Sequence, residues 1–379
     1  MTIAFITNFI NHHQAPVADA MYAAPGVDYT FIATEPMPES FAKNGYPDYD
    51  RPYLLRAYES PESEAKARRL AYEADVVIIG AAPHSYVEQR QKDNKVTFHY
   101  SERWLKNPGE ILRHPWFYKM MFKDFFRFRR KRSYMLCSGS FVKKDYAAFG
   151  CFPGKFFKWG YFPAVPAPSE EEIRRKFAAD GPIRLFWCAR FIGVKRPRLA
   201  VDTLRRLVQK GYDVRLEMAG SGELLDDCRD FARSCGVADR VTFLGSIPSA
   251  EVLSRMRDSH IYLFTSTRAE GWGAVLNEAM GSGCAVVASA TVGATAYLVE
   301  DDVNGKVFRH DSPDDLLRQV EVLVADRTLM ADLAVNAART IAGPWSPASA
   351  AESLVGLLRA AVDGRLASYS KSTGPASWA

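Results

Sequence analysis

Ile183-Arg-Leu-Phe-Trp-Cys-Ala189, then Arg190-Phe-Ile-Gly-Val-Lys195-Arg-Pro197, then Arg198-Leu-Ala-Val-Asp-Thr-Leu-Arg-Arg-Leu-Val-Gln-Lys210, reads as three consecutive pieces. The first is a nearly continuous apolar run, of the kind buried on both faces of a parallel sheet. The third carries apolar residues at helical spacing, and Pro197 suits a first helical turn. The polar middle joins them. Another apolar run, Val214–Ala219, follows the helix, so the stretch is a strand–helix–strand unit.

The alternation extends in both directions. Towards the C-terminus the expected strands are Val241–Leu244, Ile261–Thr265 and Ala285–Ala288, with helix-like segments Leu224–Cys235, Ala250–Asp258 and Ala274–Gly281. Towards the N-terminus they are Ile3–Thr7, Tyr29–Ala33, Val76–Gly80, Val96–His99, Tyr134–Cys137 and Phe156–Trp159. The pattern predicts an α/β fold with parallel sheets covered on both faces. A chain of 379 residues exceeds one ordinary core. Tyr161-Phe-Pro-Ala-Val-Pro-Ala-Pro-Ser169, with three prolines in six residues, reads as a linker. Gly343-Pro-Trp-Ser-Pro347 is a second break, followed by a helix-like segment and a tail of small polar residues. The expected domains are 1–163 and 170–343, with a final helix within 345–363. Two doubly wound domains joined this way leave a cleft, and ligands of such sheets bind beyond the carboxyl ends of the strands.

Composition narrows the class. Hydrophobic residues make up 47% and charged residues 25%, which excludes a wholly disordered chain or a coiled coil. No apolar run approaches the roughly 20 residues of a membrane-spanning helix. Met1–Thr7 reads as a strand and not as a signal peptide. Six cysteines without a CxxC suggest reduced thiols in a cytoplasmic protein. The net charge of +5 is uneven, because residues 101–160 alone hold 14 basic and 4 acidic residues.

The expected chemistry sits just after strands. Glu270-Gly-Trp-Gly-Ala-Val-Leu-Asn-Glu278 supplies a loop carboxylate, two glycines and a helix start, which suits sugar hydroxyls or a phosphate. Eight helical positions span about 12 Å, more than the 5–9.5 Å or so between glycosidase carboxylates. In the other loop, Lys195, Arg196 and Arg198 crowd the start of the next helix, where each cation costs about 0.3–1 kcal/mol. A bound diphosphate reverses that sign, which marks an anion site. Asp48-Tyr-Asp50 reads as a chance DxD, and no GxGxxG follows the first strand to suggest NAD.

Arg190-x4-Lys195, Met218-Ala-Gly-Ser-Gly-Glu223, Val241-Thr-Phe-Leu-Gly245 and Glu270-x7-Glu278 together resemble the retaining glycosyltransferases of family 4, which have the GT-B fold of two Rossmann-like domains facing across a cleft. The resemblance is continuous over about 183–310, and Trp345 with the last helix is similar to the segment that crosses back to the first domain in that fold. It implies a hexosyltransferase acting on a nucleotide-diphosphate sugar and a glycan or lipid-linked acceptor, in cell-surface glycan assembly. Arg190 and Lys195 would hold the diphosphate. Glu270 would bind the donor sugar, helped by the backbone of Gly271, Trp272, Gly273, Ala274 and Val275, and Glu278 would bind the ribose. Ser246 and Ile247 would lie near the base, with Gly220 on the donor side. No metal and no other cofactor are expected.

In the first half Val96-Thr-Phe-His99 resembles the family strand whose histidine faces the donor sugar, with His84 a second candidate. Asn11, His12 and His13 stand where many relatives have a glycine-rich loop, and are expected on the acceptor side. The segment Trp116–Arg132 mixes aromatics with cations. Read as a helix within 113–132, it fits an anionic membrane surface at the cytoplasmic face, a nucleic acid, or a solvated basic face over an aromatic core. No nucleic acid is expected as partner. Two alternatives to a transferase stay open, a nucleotide-sugar-binding subunit without turnover and a nucleic-acid-binding protein using 113–132.

Overall fold

The computed structural model describes residues 1–39, 47–309 and 312–379. They form two compact units, Met1–Ala164 with Pro344–Ala379, and Val165–Gly343.

The first unit is built on a seven-stranded sheet. Its strands are β1 (Thr2–Thr7), β2 (Asp28–Ala33), β3 (Leu54–Arg56), β4 (Val76–Ile79), β5 (Thr97–Ser101), β6 (Ser133–Ser138) and β7 (Phe156–Trp159), in spatial order β3-β2-β1-β4-β5-β6-β7. The second has six: β8 (Ile183–Cys188), β9 (Val214–Ala219), β10 (Val241–Gly245), β11 (Ile261–Phe264), β12 (Ala285–Ser289) and β13 (Lys306–Phe308), in order β10-β9-β8-β11-β12-β13. All these pairs are parallel. Each sheet runs outward from its first strand, returns, and continues on the other side. That is the doubly wound Rossmann order, with a switch point between β1 and β4 in one unit and β8 and β11 in the other.

The cores explain the apolar runs. Leu185 and Trp187 of β8, Leu216 and Met218 of β9, and Leu204 and Leu207 of the helix Pro197–Gln209 pack into one cluster. In the first unit the helix Pro61–Glu73 buries only Ala67 and Ala71, small enough to lie close over β1 and β4. Arg90 beside it is fully buried, donating to the carbonyls of Ala71, Tyr72, Ala74 and Val96 and to Thr97 Oγ1.

After Gly343 the chain belongs to the first unit again. Trp345 stacks on Phe162 at 5.9 Å, and the helix Pro347–Val362 ends where Arg132 donates to the carbonyls of Ala361 and Val362. The final residues pair with the free edge of β7. Lys158 N–H donates to Ser377 O at 2.7 Å, and Trp378 lies over Phe157 at 4.4 Å. This covers an edge that would otherwise offer unpaired backbone groups.

One expectation needs correction. The aromatic and basic segment is not one helix. It runs as a short α-helix Pro115–Met120, a π-turn Met121–Phe125 and a 3₁₀ turn Phe126–Phe128. Phe117, Met121 and Phe128 are buried, and so many bulky rings in succession pack on both sides of the backbone rather than along one helical stripe.

Candidate functional site

In the second unit the loops after β8 and β11, which flank the switch point, are tied together. Trp187 Nε1 donates to Thr265 Oγ1 at 2.9 Å, and that hydroxyl donates to the carbonyl of Lys195 at 2.6 Å. Thr267 N–H donates to Val194 O at 2.9 Å. On this frame Lys195 Nζ forms an ion pair with Glu270 Oε2, and Ser266 Oγ donates to the same oxygen at 3.0 Å. The two charged side chains are only 15% and 13% exposed. Arg190, two residues past β8, is exposed and makes no ion pair among the described residues. The structure therefore brings Lys195 and Glu270 together and leaves Arg190 open on the same loop.

The glycine-rich turn after Glu270 is shaped by packing. Gly273 has φ +84°, and a Cβ there would fall 2.4 Å from the ring of Phe264. Trp272 is buried, its indole N–H donating to Asn277 Oδ1 at 2.8 Å, so only its backbone is left to face a ligand. Ala274 caps the helix Val275–Gly281, whose first N–H groups have no intrahelical partner. Glu278 lies within that helix, and burial pushes its carboxyl up to about 7.

The loops after β9 and β10 join the same surface. Phe191 N–H donates to Ser221 O at 2.8 Å and Gly220 N–H to Gly245 O at 2.7 Å. A Cβ on Gly220 would meet Ala189 O at 1.9 Å, so its glycine is required by the approach of two loops, whatever it does for a ligand. Ser246 Oγ donates to Ser221 Oγ at 2.9 Å, with the partly buried Ile247 following.

The remaining candidates lie in the first unit. After β1, Asn11 Oδ1 accepts from His13 N–H at 3.0 Å, and Asn11 O receives Ala15 N–H at the start of the helix Ala15–Tyr22. His13 lies flat on Tyr161 at 5.0 Å. Burial pulls His12 down to about 4 and, with His12 beside it, holds His13 well below the usual histidine value. His99, at 4% exposure, accepts from Gln91 Nε2 at 2.9 Å, and Gln91 also donates to Ser133 Oγ at 2.7 Å. His84 stacks on His99 at 5.7 Å, and burial holds both below the usual value, so both are neutral.

His84 and His99 line a cavity of about 690 Å³ at the carboxyl ends of β1, β4 and β5, a position that suits a ligand in this type of sheet. Asn11 lines it as well, whereas His12 and His13 do not.

The comparisons with known proteins bear on the second unit first. Residues 169–340 match the family model of glycosyl transferases group 1. The second unit is thus similar to the group 1 glycosyltransferases over most of its length. A phosphatidyl-myo-inositol mannosyltransferase of Mycobacterium tuberculosis is 36% identical over 114 residues, covering 30% of this chain and 29% of that protein. From the same organism, a GDP-mannose-dependent alpha-(1-6)-phosphatidylinositol monomannoside mannosyltransferase is 25% identical over 194 residues, covering 50% of each chain. The match thus spans half or less of these relatives' length.

Among solved structures, Anabaena HepE in complex with UDP is similar over 95% of this chain and all of that one, with TM-score 0.70 and 16% identity. Sucrose-phosphate synthase of Thermosynechococcus elongatus is similar over 96% and 100%, with TM-score 0.69 and 15% identity. The two units are therefore the Rossmann-like pair of the GT-B fold.

Within the second unit, sequence reading passed over Thr265, Ser266 and Ser221, residues that hold the loops in place. Thr265-Ser-Thr267, three hydroxyl residues directly after an apolar strand, was the available signal. In the first unit it passed over Gln91 and Ser133, which orient His99 from positions with no motif of their own.

Proposed function

We propose that the protein transfers a hexosyl group, with retention, from a nucleoside-diphosphate sugar to a hydroxyl of a glycan or lipid-linked acceptor. The observation that carries this reading is the Lys195–Glu270 pair at the β8/β11 switch point, beside the open guanidinium of Arg190. The substrates in one relative's name, GDP-mannose and phosphatidylinositol monomannoside, and the UDP bound by HepE support the same donor and acceptor classes.

In this reading Lys195 and Arg190 bind the diphosphate and neutralise the charge that grows on it as the anomeric C–O bond breaks. Glu270 receives the donor sugar's hydroxyls. The acceptor oxygen bonds to the anomeric carbon on the face the diphosphate leaves, and its proton passes to the departing phosphate. Two fixed cations do the work that a divalent ion does elsewhere, so no metal or other cofactor is required. Glu278 holds the ribose, and Ser246 and Ile247 border the base. His99, a neutral imidazole, faces the reacting sugar. The protein works at the inner face of the cytoplasmic membrane, held by the basic and aromatic segment. Among the described residues no helix is long and apolar enough to cross a membrane.

The test is thermal melting against UDP, GDP, ADP, CMP, NAD and their common sugar conjugates, with and without magnesium. A ligand at 100 times its Kd stabilises by about 2.7 kcal/mol, roughly 5–10 °C for a domain of this size. A shift with one nucleoside diphosphate that survives chelator supports the reading. No shift with any of them, or a shift with NAD alone, removes it.

A further inference from the structure

We propose that the cavity of the first unit is built for a neutral, polyhydroxylated group, a sugar residue, and excludes phosphate. This rests on the transferase reading and names the class of group its acceptor presents.

The first argument is charge. Glu35, Glu102 and Asp124 line the cavity, and among the described residues no lysine or arginine does. Glu102 is answered by Lys106 at 2.6 Å and by the hydroxyl of Tyr161 at 2.7 Å. Glu35 and Asp124 form no ion pair among the described residues. The two histidines of the lining are neutral, because burial disfavours their protonated form. A phosphate placed here meets carboxylates and no cation, whereas sugar hydroxyls are donors that carboxylates accept.

The second argument is independent of charge. Gln14 lines the cavity with a side chain only 9% exposed, and its Oε1 is buried without a hydrogen-bond partner. A buried acceptor left unmade costs about 1–3 kcal/mol. Turned into the cavity that Gln14 lines, this oxygen accepts from a ligand hydroxyl and not from a phosphate oxygen, itself an acceptor. Tyr100 and Trp104 add aromatic surface to the lining, suited to the C–H side of a pyranose. The volume, about 690 Å³, lies within the roughly 300–1,000 Å³ of small-ligand sites.

The cavity also shares a wall with the aromatic and basic segment. Met120, Asp124 and Phe125 face into it, while Trp116 and Phe122 of the same segment are exposed. One piece of chain thus borders both the sugar site and a surface suited to a lipid.

The experiment is saturation-transfer NMR on the full chain without nucleotide. The probes are the methyl α-pyranosides of mannose, glucose and galactose, with sn-glycerol 3-phosphate as the anionic competitor. At least one glycoside should show transfer that excess glycerol phosphate leaves intact. Asp124→Asn and Gln14→Leu should each weaken it about tenfold, the loss of one hydrogen bond to a charged or buried group. Glu35→Gln, at an exposed position, is the variant least able to disturb folding and should weaken it in the same direction. The inference is overturned if no glycoside shows transfer, if glycerol phosphate displaces the glycoside, or if all three variants bind as the parent does. Nucleotide melting separates the two readings. A nucleotide shift without glycoside binding removes only the sugar site. Glycoside binding without any nucleotide shift keeps that site and removes the transferase.

Discussion

Lys195 and Glu270 stand 75 residues apart in sequence and form an ion pair at the switch point of the second sheet, both largely buried. Ser266 Oγ donates to the same carboxylate oxygen that Lys195 meets. Removing one leaves a partly buried charge alone, which costs more than removing both. Lys195→Met and Glu270→Leu should each destabilise by about 1–3 kcal/mol, and the two together by less than the sum of the single changes. A double-mutant cycle in guanidinium chloride measures this. Strict additivity would show that the pair is not coupled.

Arg190 separates function from stability. Its guanidinium is exposed, so Arg190→Ala should change stability by no more than about 0.5 kcal/mol. If it stabilises a leaving diphosphate, the same change should cut kcat by about 10²–10³-fold. Sugar-nucleotide turnover and thermal melting on one preparation test both halves. Near-normal turnover would take Arg190 out of the reaction.

Glu278 gives a pH signature. Its carboxyl is raised by burial from 4.5 to about 7, so between those values the folded protein holds a proton that the unfolded chain has lost. Stability tied to this group is therefore present at pH 5 and falls as pH rises towards 7, by about 1–3 kcal/mol. Glu278→Gln has no proton to lose. Its stability relative to the parent should rise from pH 5 to pH 8 by that amount, read from unfolding midpoints at the two pH values. A difference independent of pH would mean the carboxyl is ionised throughout.

Arg90 is the control with the opposite expectation. Burial lowers it to about 10, still charged at neutral pH, and its donors serve carbonyls at the end of the helix Pro61–Glu73 and before β5. Arg90→Met keeps the aliphatic stem and strands these carbonyls. It should cost about 3–5 kcal/mol in unfolding experiments, while KM for donor at a permissive temperature stays unchanged. A loss below about 1 kcal/mol would show that water replaces the guanidinium.

The inner strands were legible because buried parallel strands are continuous apolar runs, as in Val76–Ile79 and Ile261–Phe264. Leu54–Arg56 and Lys306–Phe308 were not. Each is three residues long at a sheet edge, too short and too half-covered to give a periodic signal. The pairing of residues 376–379 with β7 was equally silent, since its stabilisation lies in backbone bonds that any sequence can make. In the site, charged residues after strands could be read one by one. What could not be read was that Lys195 and Glu270 pair, or that Gln91 holds His99, because both depend on loops meeting from different strands.

The aromatic and basic segment yields the last prediction. Its exposed face carries Trp116 and Phe122, at 50% and 60% exposure, with Tyr118, Lys119 and Lys123. Two other cations of the stretch are engaged: Arg127 pairs with Glu88, and Arg132 caps the helix Pro347–Val362. The surface therefore combines a few rings with a few free-standing cations, a pattern suited to shallow insertion at an anionic interface rather than to tracking a phosphate backbone. Each lysine near such a surface is worth about 1 kcal/mol. Lys119→Ala with Lys123→Ala should therefore weaken binding to vesicles of phosphatidylcholine and phosphatidylglycerol by about thirtyfold, and high salt should do the same. Trp116→Ala with Phe122→Ala should weaken it at any salt, because the rings act by burial and not by charge. Vesicle flotation measures both. Flotation unchanged by either pair, or no flotation of the parent, would make this face a solvated surface and require another route for a lipid-linked acceptor to reach the cavity behind it.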